Sequence, residues 1–419
     1  MGGQSELGPL CTERVGENWI DAGTSCRSRS QPPGPVGLDR DSAPPQSTGQ
    51  WGKFQSGSVQ RALYKALIDD RYLSQVKVVD ILYSTLSNGT MSTGELADLQ
   101  MVAEKSRSIM PRSKKMLELF VEQGKSAKTN DLGPYELATP RHIYAAEAVC
   151  FFLKRMGHGK WPMLDRDEVG VGLLMRLAYP SLLSQKGSSL CGPAAFLFDL
   201  LQDRPSEYVA YAVDLYERGT AMLGGLSVTP GAQPTNLIRY YSPPFDPTDW
   251  LTMASLRDSE NWFLQYDTAD RELAGATLPG ELASWFTKAG YSDVKEDANL
   301  ARHQRDTNNI DAANRLYSAG YRVCLFIDYQ LLEGNSGDCV GDISQETDGG
   351  QGCGSVESGS PWGVDRHWVV LRSKIDWSGG TAKMTVYTWG EGNHQVPQTG
   401  HLLLSDFLAN YYGYVAGKP

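Results

Sequence analysis

Apolar positions fall at helical spacing from about residue 59 onward. Ala62, Leu63, Ala66 and Leu67 lie along one helix face, and further stretches of the same kind run on to Gly157. In that region no convincing strand stands out beyond short ambiguous runs such as 76–79. The clearest single helix is 140–156, where Thr139 can cap, Pro140 suits the first turn and Gly157 ends it. The texture changes after Leu182. A Gly/Ser stretch leads into Cys191-Gly192-Pro193 and an apolar helix over 194–201. A second helix starts at Pro205 with Val209, Ala212, Val213 and Tyr216 as its buried stripe, and Gly219 stops it. Further helices are expected over 247–257, 279–289 and 308–319.

Strands come last. Residues 321–329 are rich in β-branched and aromatic side chains, and 367–372 and 383–389 follow, the last two separated by Ser378-Gly379-Gly380. Helices followed by a strand cluster predict an α+β fold and not alternating βαβ units. No internal repeat is evident. The chain divides into a Gly/Pro/Ser-rich tail over 1–50, too poor in apolar residues to offset ordering entropy, a helical region over 51–178 and an α+β domain over 179–419. The helical region is either a domain or a helical subdomain of the unit that follows.

Composition narrows the function classes. Lys plus Arg number 39 against 49 Asp plus Glu, a net charge of -10, which argues against a general nucleic-acid binder. The longest apolar runs, such as 145–153, fall short of the ~20 residues that span a bilayer. The start of the chain has no charged leader with an apolar stretch behind it, and Glu6 stands where a myristoylation signal wants Ser or Thr. The expectation is a protein that is cytoplasmic, or exported without a cleavable signal peptide. Seven cysteines without a repeating spacing do not make a disulfide framework.

A long Gly/Ser-rich segment, 332–366, lies between the first two strands and carries Asp338, Asp342, Glu346 and Asp348. Its spacing does not match an EF-hand loop, and a solvated loop bordering a cleft is expected. Cys339 and Cys353 within it either pair in an oxidising compartment or remain two thiols.

The chemistry centres on Cys191, at the mouth of an apolar helix. Helix N-termini carry partial positive charge and free N–H groups, and both favour thiolate. The plainer alternative is a small buried residue preceding a helix. The second candidate is His367, which opens the apolar run His367-Trp368-Val369-Val370-Leu371 and can stand at a cleft edge as a general base. Of the other histidines, His142 and His158 flank a helix, His303 is in a polar stretch, and His394 and His401 are in turn-like sequence. No His or Cys spacing resembles a zinc site, so no metal or other cofactor is expected.

These pieces resemble the papain-like cysteine peptidase superfamily. Gln185 lies six residues before Cys191, where that superfamily keeps its oxyanion-hole glutamine. Tyr387-Thr388-Trp389-Gly390 resembles the Asn-Ser-Trp-Gly segment of papain-type enzymes, and the Cys191-Gly192-Pro193-Ala194 and His367-Trp368-Val369-Val370 pieces look closer still to bacteriocin-processing peptidases. The resemblance covers roughly residues 180–410. It implies a helical half bearing the nucleophile helix, an antiparallel sheet half, thiolate attack on a carbonyl, an oxyanion held by Gln185 and the Cys191 amide, and His367 as proton donor to the leaving group. One departure is Tyr387, which stands where the family has Asn. Thr388, Asp376, Glu391 and Asn393 are the alternatives as partner of the imidazole, and strand parity sets Tyr387 and Trp389 on one face with Thr388 on the other.

The resemblance implies a cysteine hydrolase acting on amide bonds of a protein or peptide substrate. Deamidase, acyltransferase and transglutaminase-like toxin chemistry would use the same site, and a papain-like binding module with a silent site is the non-enzymatic alternative. The tail, helical region and terminal hydrolase domain also resemble bacterial effectors delivered by specialised secretion, such as type VI, which implies a cognate inhibitor or immunity protein as a further partner.

Overall fold

In a computed structural model of the chain, the described residues are 12–15, 18–21, 51–69, 72–86, 91–129, 139–186, 188–231, 245–260, 277–299, 306–332 and 366–419. The run 28–50, most of the loop 332–366 with Cys339 and Cys353, and His303 lie outside them. The chain divides into two compact units, Met1–Gln46 and Ser47–Pro419. In the first, β1 (Thr12–Val15) pairs antiparallel with β2 (Asn18–Asp21). The second holds every candidate site residue.

The second unit begins with the helices α1 (Gly57–Ala66), α2 (Gln75–Leu86), α3 (Thr93–Lys105), α4 (Pro111–Thr129), α5 (Pro140–Lys154) and α6 (Arg166–Ala178). The ambiguous run 76–79 lies inside α2, where Val78 and Val79 are buried beside Ile81 and Leu82. Local chemistry sets the helix ends. Ser92 and Glu95 form a reciprocal capping box on α3, and Thr139 caps α5 with Pro140 in its first turn, as the sequence predicts. Nearly all of α6 is buried, and its buried charged residues are paired: Arg166 with Glu217, Asp167 with Arg112 and Arg176 with Asp249.

Next come α7 (Cys191–Asp203) and α8 (Pro205–Arg218), which ends on Gly219 at φ 79°. A short hairpin of β3 (Ala221–Leu223) and β4 (Leu226–Val228) follows. Helix α9 starts at Pro247–Asp249, passes through a π-helical turn at Trp250–Ala254 and finishes at Ser255–Glu260. The remaining helices are α10 (Pro279–Lys288), α11 (Thr307–Ser318) and α12 (Leu404–Ala409).

The main sheet is antiparallel throughout. Its order is β10 (Glu391–Val396), β9 (Met384–Thr388), β7 (Arg366–Leu371), β6 (Arg322–Asp328), β12 (Tyr411–Lys418) and β5 (Ser292–Ala298). Two-residue strands β8 (Thr381–Ala382) and β11 (Leu402–Leu403) pair beside it. The architecture is thus α+β, helices preceding an antiparallel sheet. No helix among the described residues is long and apolar enough to cross a membrane.

Alternation along the strands builds two cores. Cys324, Phe326, Trp368, Val370, Tyr387, Tyr412 and Val415 face the helices, in a cluster continuous back to Trp51. Val323, Leu325, Ile327, Val369, Leu371 and Val386 face the other way, against Ile310 and Ala313 of α11 and Phe407 of α12. Strand β12 was not predicted because it is buried on both faces and shows no alternation. It also carries a register shift at Gly413, where φ is 112° and a side chain would strike the backbone of Asp297. Strand β5 was missed for the opposite reason, being a charged edge strand.

Candidate active site

Helix α7 starts at Cys191, three residues earlier than its apolar run suggests. A helix leaves its first N–H groups without intrahelical partners. Here the N–H groups of Cys191 and Gly192 favour the charged form of the adjacent Cys191 thiol, Pro193 has no N–H, and Ala194 N–H reaches the Leu190 carbonyl at 2.9 Å. The Trp368 N–H on β7 and the Arg257 guanidinium of α9 act in the same direction. These groups favour thiolate, as expected for a helix N-terminus. The net effect is a correction: Cys191 is buried, and burial outweighs them and pushes the thiol above its usual range.

His367 is the second residue of β7, opposite Ile327 of β6. Its neighbours by parity, Val369 and Leu371, belong to the second core. Burial, reinforced by His394, pushes its pKa down to about 3, so the imidazole is neutral. Nε2 lies 2.7 Å from the Thr388 hydroxyl, which can accept from Nε2–H or donate to a bare Nε2. Nδ1 has no hydrogen-bond partner among the described residues, and no hydrogen bond joins the imidazole to Sγ. Their link is Trp368, the residue after His367, whose backbone N–H favours the charged form of the Cys191 thiol.

Register explains why Thr388 is the partner of the imidazole. β9 pairs with β7 only at Tyr387↔Val370 and Val386↔Leu371. Continued by one step, that register sets Thr388 diagonal to His367 on one face. Tyr387 faces the other core, where it stacks on Phe198 at 3.6 Å between ring centroids and donates its phenol hydrogen to the Leu183 carbonyl. It does not orient the imidazole, which corrects the position suggested by the papain-type motif. Trp389 departs from the expected parity. β9 ends at Thr388, Trp389 takes φ 47°, and its ring swings to within 5.2 Å of the His367 ring.

Gln185 is buried in the turn ahead of α7, and its Nε2 donates to the Ser188 carbonyl at 2.9 Å. That turn is fastened to the sheet and to α9. The Ser184 hydroxyl donates to the Trp389 carbonyl at 3.0 Å, and the Ser184 N–H donates to Asp249 at 3.0 Å. Asp249 is itself held by Arg176, a buried pair with Asp246 close to the same guanidinium. Gly390, at φ 85°, passes directly beneath Ser184.

The other candidates fall elsewhere. Asp376 caps the turn at Ser378, and Glu391 is taken by His394 at 2.6 Å. Asn393 is exposed on β10. His394 is not in a turn as the sequence suggests. It is buried on β10, bonded to Glu391 through Nδ1 and 3.0 Å from the Leu332 carbonyl through Nε2, and its ring lies 6.2 Å from that of Trp389. His142 is buried against Thr139 in the first turn of α5. Burial pushes Cys150 up to about 12 and raises Cys324 well above the usual thiol range. Sequence reasoning missed Arg257, which pairs with Glu281 at 3.0 Å, and Thr277, because nothing in their local sequence marks them as neighbours of Cys191. Among the described residues no group of three or more His, Cys, Asp or Glu side chains is arranged to hold a metal ion.

Comparison with models of protein families, with curated proteins and with solved structures finds no match to this chain.

Proposed function

We propose that this chain is a papain-like cysteine hydrolase that cleaves amide bonds in a protein or peptide substrate, with Cys191 as nucleophile and His367 as proton carrier. The observation that carries the reading is the placement of Cys191 at the N-terminus of α7, where nearby backbone N–H groups, including that of Trp368 next to His367, favour the charged form of the thiol. Donors so arranged stabilise negative charge on sulfur, and beside the attacked carbon they stabilise an oxyanion. In the resting protein both groups are neutral. The thiol proton passes to Nδ1 of His367 as substrate draws the two groups together, since catalytic contacts often tighten only in the complex. The sulfur adds to the carbonyl carbon, the amine leaves with the proton from His367, and water hydrolyses the thioester. Thr388 orients the ring, and Gln185 joins the oxyanion site once its bond to Ser188 opens.

Transfer of the acyl group to another acceptor, or deamidation of a side-chain amide, uses the same steps and differs only in substrate. A second reading, a papain-like binding module with a silent site, draws on the burial of both side chains and the lack of a direct bond between them. Iodoacetamide treatment with mass mapping separates the two. An enzyme is labelled at Cys191 well ahead of Cys150 and Cys324, and a silent module is not labelled there until it unfolds.

A further inference from the structure

Thr277, just before α10, packs against Gly192 in the first turn of the Cys191 helix. A Cβ on Gly192 would collide with the Thr277 side chain, its hydroxyl oxygen first. The glycine at 192 is therefore the space that Thr277 fills. Thr277 is 3% exposed, and its hydroxyl has no hydrogen-bond partner among the described residues. A buried hydroxyl without a hydrogen bond is costly to the fold, so its retention calls for a reason.

The surroundings hold this side chain in place. The Thr277 carbonyl accepts from the Trp368 indole at 2.8 Å, and the Trp368 backbone N–H favours the charged form of the Cys191 thiol. On the other side, Glu281 accepts from the N–H of Leu278 at 2.8 Å and pairs with Arg257. Thr277 is thus fixed between the strand that carries His367 and the guanidinium that adds positive potential at Cys191. Its hydroxyl lies at the positive end of a 13-residue helix, beside the residue that follows the nucleophile.

We propose that the Thr277 hydroxyl is a donor to the carbonyl oxygen of the group that Cys191 attacks. The inference rests on the Cys–His reading and adds a residue to it. When sulfur bonds to the carbonyl carbon, the π electrons move onto oxygen, and Thr277 O–H donates a hydrogen bond to that oxygen without giving up its proton. Collapse restores the carbonyl, breaks the C–N bond and expels the amine, which takes its proton from His367. Gln185 must first open its bond to Ser188 to join the oxyanion site, whereas the Thr277 hydroxyl has no hydrogen bond to give up.

Two reagents test the assignment. Acetylation of Cys191 by p-nitrophenyl acetate passes through an oxyanion, whereas alkylation by iodoacetamide does not. Both rates are read at Cys191 by mass in the full chain. Thr277→Val keeps the shape and removes the hydroxyl. It is expected to slow acetylation by about 10²-fold, the scale of one oxyanion donor, and to leave alkylation unchanged, while Thr277→Ser acetylates as wild type does. Thr277→Ala gives the same reading should Thr277→Val fail to fold. Unchanged acetylation, or equal slowing of both reactions, overturns the proposal. A wild-type protein whose Cys191 takes neither reagent overturns the Cys–His reading itself, a different result from an inert Thr277 in a reactive protein.

Discussion

The hydroxyl of Thr388 lies 2.7 Å from Nε2 of His367, on the face of β9 opposite to Tyr387. One hydroxyl thus takes the orienting position that a carboxamide or carboxylate fills elsewhere, and it is a weaker director of tautomer. Thr388→Val should lower the rate of Cys191 acetylation by roughly tenfold, less than loss of a carboxylate partner costs. Stopped-flow release of p-nitrophenolate measures it, and a loss as large as that of Cys191→Ala would make Thr388 indispensable instead.

Tyr387 has a structural task, because its phenol ties the Leu183 carbonyl to the sheet. Tyr387→Phe leaves that buried carbonyl without its donor. The expected cost is about 1–3 kcal/mol in urea unfolding, with a rate effect of about tenfold or less. A normal urea midpoint with a dead site would assign the phenol to the chemistry.

Arg176 and Asp249 form a buried pair that also holds the Ser184 N–H. Arg176→Met strands the Asp249 carboxylate and should destabilise the fold by about 3–5 kcal/mol, whereas Arg176→Met combined with Asp249→Leu should recover part of the loss. Urea melts of the single and double variants show whether the charge or the packing dominates.

Asp199 supplies a pH signature. Burial raises its carboxyl pKa to about 7, with Arg322 and Arg372 opposing and Asp203 reinforcing the shift, and the Cys324 thiol donates to it. Its folded-state pKa lies above the unfolded one, so between about pH 4 and 7 the folded chain binds more protons. The contribution of this group to stability is therefore present below that window and lost as pH rises through it. Asp199→Asn removes that slope, so the variant should gain on wild type in urea midpoint from pH 5 to pH 8. Parallel midpoints across the range would place the titration elsewhere.

Much of this frame was legible in the sequence because local chemistry specified it. Thr139, Pro140, Pro205 and Gly219 mark helix ends by capping and backbone preference, and each stands where expected. The strands bearing His367 and Thr388 read clearly from their β-branched and aromatic residues. What failed depends on non-local contacts. Parity alone sets Thr388 apart from Tyr387, but the choice of Thr388 required the register of β9 on β7. The position of Trp389 required its positive φ, which breaks parity at the end of the strand. Arg257 and Thr277 reach Cys191 only through folding of α9 and the segment before α10, and no spacing in the chain announces either. The thiol of Cys191 shifts up and not down because of its depth of burial, which, unlike the helix terminus, is not visible in the sequence.

The central claim, that Cys191 and His367 act as one nucleophilic unit, is tested most directly by the acetylation of Cys191 in wild type and in His367→Ala, each normalised to folded protein. The account predicts acetylation confined to Cys191 among Cys150, Cys191 and Cys324, with His367→Ala slower by ~10³-fold or more, as removal of an acting base is. A Cys191 that stays unmodified while the protein is folded, or one acetylated as fast in His367→Ala as in wild type, would contradict it.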